Sequence, residues 1–179
     1  MKLNYIEVNN DYKYKGKVKY LFEHAFPKVE RPTFNQLMSF KNHVLYAVEL
    51  DKEFVALVDL IINKDTTYVF FLAVKKTMRG QNVGSQILKF VSDKYNNYRI
   101  YLLAESPNEE CTNLLEREHR ISFYKKNGFI ESDVSVNEYG TTYLILYKNG
   151  KVNKIELLES MKFMLGEATY LKYYEPFIK

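Results

Sequence analysis

Cysteine, proline and glycine are scarce: the 179 residues hold one Cys, four Pro and seven Gly. A lone Cys111 excludes an intrachain disulfide framework and a cysteine-rich zinc module. So little Gly and Pro, beside 46% hydrophobic residues, excludes a fibrous repeat and a disordered tail carrier. Long apolar runs are also lacking. The best, Phe54 to Ile62, is cut by Asp59 and falls well short of the ~20 residues that span a bilayer. The opening Met1-Lys2-Leu3-Asn4-Tyr5 lacks the apolar core of a secretion signal, so a cytoplasmic protein without a membrane partner is expected. Nor does charge of one sign dominate. Lys and Arg number 26 against 22 Asp and Glu, a net +4. The cations are scattered over Lys13, Lys15, Lys17, Lys75, Lys76, Arg79, Lys125 and Lys126, with no basic run, and no nucleic-acid partner is expected.

What is present suits one domain. A chain of this length buries roughly 70% of the surface of its unfolded form, enough for a core without staples. Leu3 to Val8 reads as a short strand. Asn9-Asn10-Asp11 offers a cap for a helix over Tyr12 to Phe26, striped by Tyr14, Val18, Leu21, Phe22 and Ala25 and ended by Pro27. A short helix follows over Thr33 to Phe40. Val44 to Glu49, Phe54 to Ile62 and Thr66 to Val74 are rich in β-branched and aromatic residues and joined by tight turns, which predicts consecutive antiparallel strands. Val69 to Val74 is apolar at every position and belongs in the middle of the sheet, covered on both faces. Helical spacing returns through Val83, Ile87, Leu88 and Val91. The strand Arg99 to Ala104 is then reached by a crossover and should lie parallel to its predecessor. Another helix ends at Asn127-Gly128, and Phe129 to Val136 pairs with Thr141 to Tyr147. Asn153 and Glu156 form a capping-box pattern before a last helix whose predicted face is Ile155, Leu158, Met161 and Leu165.

The segment Leu72-Ala73-Val74-Lys75-Lys76-Thr77-Met78-Arg79-Gly80-Gln81-Asn82-Val83-Gly84-Ser85 runs from a buried strand through a glycine turn into a helix. The first amides of a helix have no partner within it and can hold phosphate oxygens. The Gly-Lys-Ser/Thr ending of a P-loop is absent, as are the three glycines of the dinucleotide fingerprint, so another phosphate ligand is needed. Arg79-Gly80-Gln81-Asn82-Val83-Gly84 resembles the signature of the GNAT superfamily of acyl-CoA N-acyltransferases, with Asn82 where the first signature glycine is usual. Asparagine is the residue other than glycine that best tolerates a left-handed backbone. A second stretch, Tyr124-Lys125-Lys126-Asn127-Gly128-Phe129, is similar to that family's late tyrosine followed by Gly-Phe.

The resemblance implies a fold, a cosubstrate and a site. The fold is α/β, a single mixed, mostly antiparallel sheet flanked by helices, GNAT-like, with a C-terminal helical extension. Residues 1–150 would be the acyl-CoA-binding domain, and 151–179 an extension packed on it or placed at a homodimer interface. Leu72, Ala73 and Val74 would face the pantetheine arm of acetyl-CoA. Gly80, Gln81, Asn82, Val83, Gly84 and Ser85 would receive its pyrophosphate beside Arg79. Tyr124 matches the general acid that protonates the departing thiolate; taken alone, an aromatic on a helix is ordinary core. Glu105, just past the strand ending at Ala104, is the candidate base or amine-binding group. The implied reaction is direct acetyl transfer to a primary amine of a small molecule or peptide; a non-catalytic acyl-CoA sensor or interaction module is the alternative. His24, His43 and His119 have no metal-ligand spacing, and no metal is expected.

Overall fold

Strand-forming stretches assemble into one seven-stranded sheet in the order β1-β2-β3-β4-β5-β7-β6. The strands of this computed structural model are β1 (Leu3–Glu7), β2 (His43–Leu50), β3 (Glu53–Asn63), β4 (Thr66–Val74), β5 (Arg99–Glu105), β6 (Ile130–Glu138) and β7 (Thr141–Lys148). Residues 2–107 and 111–178 are described, with the backbone alone at 173 and 177. The helices are α1 (Lys15–Ala25), α2 (Phe34–Ser39), α3 (Val83–Lys94), α4 (Leu114–Lys126), α5 (Lys154–Leu165) and α6 (Glu167–Tyr173).

β1 to β4 pair antiparallel through tight connections, whereas β4 and β5, joined through α3, pair parallel. That parallel pairing is short. It runs from Thr66↔Arg99 to Tyr68↔Tyr101 and stops, while β5 continues along β7 as far as Glu105↔Tyr143. Beyond Tyr68 and Tyr101 the two central strands therefore part, and each presents a backbone edge to the gap. A bulge starts the divergence. Asp59 and Leu60 of β3 face Phe71 and Val69, so Phe70 is the extra residue, and an extra residue bends its strand.

The faces of the sheet are separately covered. On one, Val83, Ile87, Leu88 and Val91 of α3 and Ile121 and Tyr124 of α4 pack with Val58, Leu60, Val69, Leu102 and Leu146. On the other, Val18 and Phe22 of α1 and Phe34 and Leu37 of α2 cover Leu45, Leu57 and Phe71. The remainder of that second face is covered by the end of the chain. Val152, Leu157, Met161, Met164, Tyr170 and Tyr174 pack against Ile61, Tyr68, Tyr101, Val136 and Ile145.

Two local expectations are corrected. Asn9 does not cap α1, which starts at Lys15 behind Tyr14 with no side-chain cap. Instead Asn9 Oδ1 accepts from the Asp11 amide at 3.0 Å, closing a local turn. The Tyr12 hydroxyl donates to Glu49 at 2.8 Å and that of Tyr14 to the Lys52 carbonyl at 2.9 Å, so the segment is tied to the β2–β3 hairpin rather than wound into the helix. The docking face of α5 also differs. The Asn153–Glu156 capping box forms, but Leu157, Ser160, Met161 and Met164 are buried while Ile155 is 68% exposed. The helix lies rotated because Leu157, not Ile155, meets the apolar group around Tyr101 and Ile145.

Candidate active site

The turn between β4 and α3 has the geometry that its residues favour. Gly80 has φ +75° and Asn82 φ 62°, both left-handed. Asn82 is the residue before α3, its side chain caps nothing, and the helical ladder opens with the Gln86 amide on the Asn82 carbonyl at 3.1 Å. The amides of Val83, Gly84 and Ser85 thus precede the first ladder bond and face out of the helix end. The loop is stapled to itself: Gln81 donates to the Thr77 carbonyl at 2.9 Å, and exposed Arg79 lies against the Val74 carbonyl at 3.4 Å. Leu72, Ala73 and Val74 lie on the part of β4 that has left β5, and the Lys75 amide keeps the strand on β3 through the Val55 carbonyl at 2.9 Å. The structure thus brings together every residue expected to hold the acyl donor.

Gly84 also serves packing: a Cβ there would meet the Phe123 ring at 3.0 Å, so glycine lets α3 sit close against the last turn of α4. That contact joins the two sequence motifs, because Tyr124 follows Phe123 and turns into the same core beside Phe129, with ring centroids 6.0 Å apart. Gly84→Val is therefore expected to lower stability by about 1–3 kcal/mol through overpacking, before any ligand is added; thermal unfolding of the free protein checks this.

Tyr124 is 9% exposed, and its hydroxyl has no hydrogen-bond partner among the described residues. Burial raises its pKa, with Arg120 opposing. It approaches the parting strands from the α3/α4 face. From the other face comes Tyr68, 4% exposed, whose ring stacks on Tyr101 at 4.7 Å where the β4–β5 pairing ends. Burial raises the Tyr68 pKa too, followed by the charge of Glu138 and the neighbouring Tyr101, Tyr143 and Tyr124.

Glu105 ends β5 at the mouth of this gap, but both its oxygens are engaged. Arg120 Nη1 donates to Oε2 at 2.6 Å and Arg117 Nη2 lies 3.3 Å from Oε1. Arg117 also donates to the Ser106 carbonyl at 2.8 Å. The geometry is that of an anchor fastening α4 to the end of β5.

The carboxylate that sequence reading missed is Glu30, in the one-turn helix Lys28–Glu30 between α1 and α2. It is partly buried, and the Tyr143 hydroxyl approaches it. Burial and then the nearby charge of Glu105 raise its pKa, against the pull of Tyr143, Arg120 and Arg117. No ion pair neutralises it among the described residues. Nothing local marks Glu30 in the sequence, since its neighbours come from β5, α4 and β7.

The chain belongs to the GNAT acetyltransferase family: residues 41–131 match the family described as acetyltransferase (GNAT) domain. No curated protein matches. Among solved structures, one described as a GNAT-family acetyltransferase from Bacteroides thetaiotaomicron is similar with a TM-score of 0.73 and 18% identity, over 89% of this chain and 94% of that one. A GNAT-family acetyltransferase from Elizabethkingia anophelis with acetyl-CoA bound aligns with a TM-score of 0.59 and 14% identity, over 81% and 96%. A variant of spermidine N-acetyltransferase from Vibrio cholerae aligns at 0.61 and 16%, over 82% and 92%. At such identities the likeness is one of fold. The seven-stranded mixed sheet flanked by helices is a GNAT-like fold. Among the described residues, no helix is long and apolar enough to cross a membrane.

Proposed function

We propose that the protein transfers acetyl directly from acetyl-CoA to a primary amine, within a ternary complex. The observation that carries this reading is the parting of β4 and β5 between an outward-facing helix end and a buried, unpartnered tyrosine. A cleft of this form suits the cosubstrate. The amides at Gln81 to Ser85 and the charge of Arg79 meet an anionic pyrophosphate, and the open edge of Leu72, Ala73 and Val74 meets an extended arm that carries amides of its own. In this reading residues 1–150 hold the acyl donor and 151–179 are the extension packed on the same sheet.

Two proton movements are needed. The attacking amine must lose a proton, and the departing sulfur must gain one. Tyr124 is the acid: a phenol with a normal pKa of about 10, raised further here, is protonated at neutral pH and can give its proton to a thiolate whose conjugate acid lies near 8.5. We assign the base to Glu30 rather than Glu105, because Glu30 has no ion pair and burial increases its proton affinity. Glu105, held by Arg117 and Arg120, keeps the mouth of the cleft in shape.

The direct assay measures CoA release from acetyl-CoA with a panel of polyamines, aminoglycosides and peptide N-termini. Turnover with any of them supports the reading, whereas failure to bind any acyl-CoA sinks it. Tight acyl-CoA binding without turnover across broad panels would favour the sensor alternative. The turn can be tested separately. Asn82→Val places a branched residue at φ 62° and is expected to cost about 1–3 kcal/mol and weaken acetyl-CoA binding. Asn82→Gly should retain both stability and affinity, as measured by melting and calorimetric titration.

A further inference from the structure

Glu138 is the last residue of β6, two past Val136, whose partner Tyr143 on β7 pairs in turn with Glu105 at the mouth of the cleft; Val136 lies on the face that α5 covers. Like Glu30, it has no cationic partner among the described residues. The charge of Glu30 reaches it, so two un-neutralised carboxylates share this space. Holding them together without a counter-ion costs free energy, which a bound cation would relieve.

The surroundings of Glu138 are tyrosines, two of them adjoining in the chain and two distant. Tyr174, beyond α6, donates its hydroxyl to the Glu138 carboxylate, and the Glu138 backbone bridges to Ile178. Tyr68 comes from the floor of the cleft, Tyr139 from the adjoining turn and Tyr143 from β7, and the charge of Glu138 acts on all three. Tyr68 adds an independent observation: the residue is only 4% exposed, the charge of Glu138 reaches its hydroxyl, and that hydroxyl has no hydrogen-bond partner among the described residues. A carboxylate among aromatic rings is the chemistry that receives an ammonium group, combining a charge-assisted hydrogen bond with cation–π attraction.

Resting on the acetyltransferase reading above, we infer that Glu138, Tyr68 and Tyr174 form a second ammonium subsite beside the reacting amine, so the acceptor is a compact molecule with two cationic groups. One amine loses its proton toward Glu30 and is acetylated. The other keeps its charge on Glu138 and fixes the acceptor in the cleft. The C-terminal extension is then part of acceptor selection, because Tyr174 and Ile178 position the carboxylate.

The test is calorimetric titration of the full chain, first with CoA and then, saturated with CoA so that no turnover occurs, with short α,ω-diaminoalkanes and the matching amino alcohols. A diamine is expected to bind at least about tenfold more tightly than its amino alcohol, the size of one charge-assisted contact. Glu138→Gln should remove that difference while leaving the amino alcohol affinity as it was, and Tyr68→Phe should reduce it. Melting curves establish that each variant is folded; if Glu138→Gln is not, Tyr68→Phe carries the comparison. Equal affinities, no diamine binding, or an equal loss for both ligands in the folded variant would overturn the subsite. Failure at the first titration, with CoA itself, would instead overturn the acetyltransferase reading on which it rests.

Discussion

Tyr124→Phe is expected to lower kcat by roughly 10- to 1000-fold with little change in acetyl-CoA affinity. The substitution keeps the ring, and with it the packing against Phe123, Phe129 and Ile121. It removes only a hydroxyl that has no hydrogen-bond partner among the described residues, so no buried acceptor is orphaned and the fold should lose little stability. In the proposed mechanism what is lost is the proton for the departing sulfur, needed only as the thioester breaks. An interaction made in the transition state and absent from the ground state appears in kcat rather than in Kd. Steady-state kinetics and direct titration of acetyl-CoA separate the two. An unchanged kcat in a folded variant would remove the general-acid role, and a rise in Kd exceeding the fall in kcat would recast Tyr124 as a cosubstrate contact.

The second large effect falls on stability. Asp59, in the middle of β3, is completely buried, and His43 Nδ1 lies 2.7 Å from its Oδ1. The other carboxylate oxygen, Oδ2, has no partner among the described residues. Burial raises the Asp59 pKa against the opposing pull of His43. Burial works against a charge on His43, but the hydrogen bond and charge of Asp59 outweigh it and raise that pKa as well. Removing the imidazole by His43→Ala leaves a buried carboxyl group alone, at an expected cost of about 3–5 kcal/mol. The double variant His43→Leu with Asp59→Leu should recover most of that loss, since an apolar pair of similar volume has no desolvation to offset. Denaturant melts of the single and double variants measure both. The pH dependence follows from the sign of the shift. A histidine whose folded pKa lies above its unfolded value of about 6.5 stabilises fully below that value, and the contribution fades as pH rises through the folded pKa. The raised Asp59 acts in the same direction, because the native pair binds protons more tightly than the unfolded chain. Wild-type stability should therefore carry a component that declines from about pH 6.5 upward and is absent in the double variant.

The signals that depend on a few adjacent residues are legible in the sequence. Thr66 to Val74 is a strand at the predicted bounds, and the Asn153–Glu156 pair closes as the predicted capping box; Thr33–Gln36 closes as another. Asn82 adopts the left-handed backbone that its amide side chain tolerates. These outcomes are set by local dihedral preference and by hydrogen bonds spanning three or four residues, which a linear reading contains. The donor side of the candidate site was legible for the same reason, because a strand, a turn and a helix end follow one another in the chain.

The proposed acceptor side depended on the tertiary structure. Glu30, Glu105, Glu138, Tyr68, Tyr143 and Tyr174 come from six separate segments, and no periodicity relates them. Glu105 read as an available carboxylate until Arg117 and Arg120 folded onto it. Asn9 read as a helix cap until Tyr12 and Tyr14 found partners on the β2–β3 hairpin, and Ile155 read as core until Leu157 took the place against Tyr101. In each case the side chain had two comparably good local uses, and the choice fell to a long-range contact. Sequence by itself determined the strands, the left-handed turn between β4 and α3 and the family resemblance, since these rest on local backbone preference encoded residue by residue. Only the tertiary structure decided which carboxylates stayed unpaired, because a charge is neutralised or left waiting by its neighbours in space.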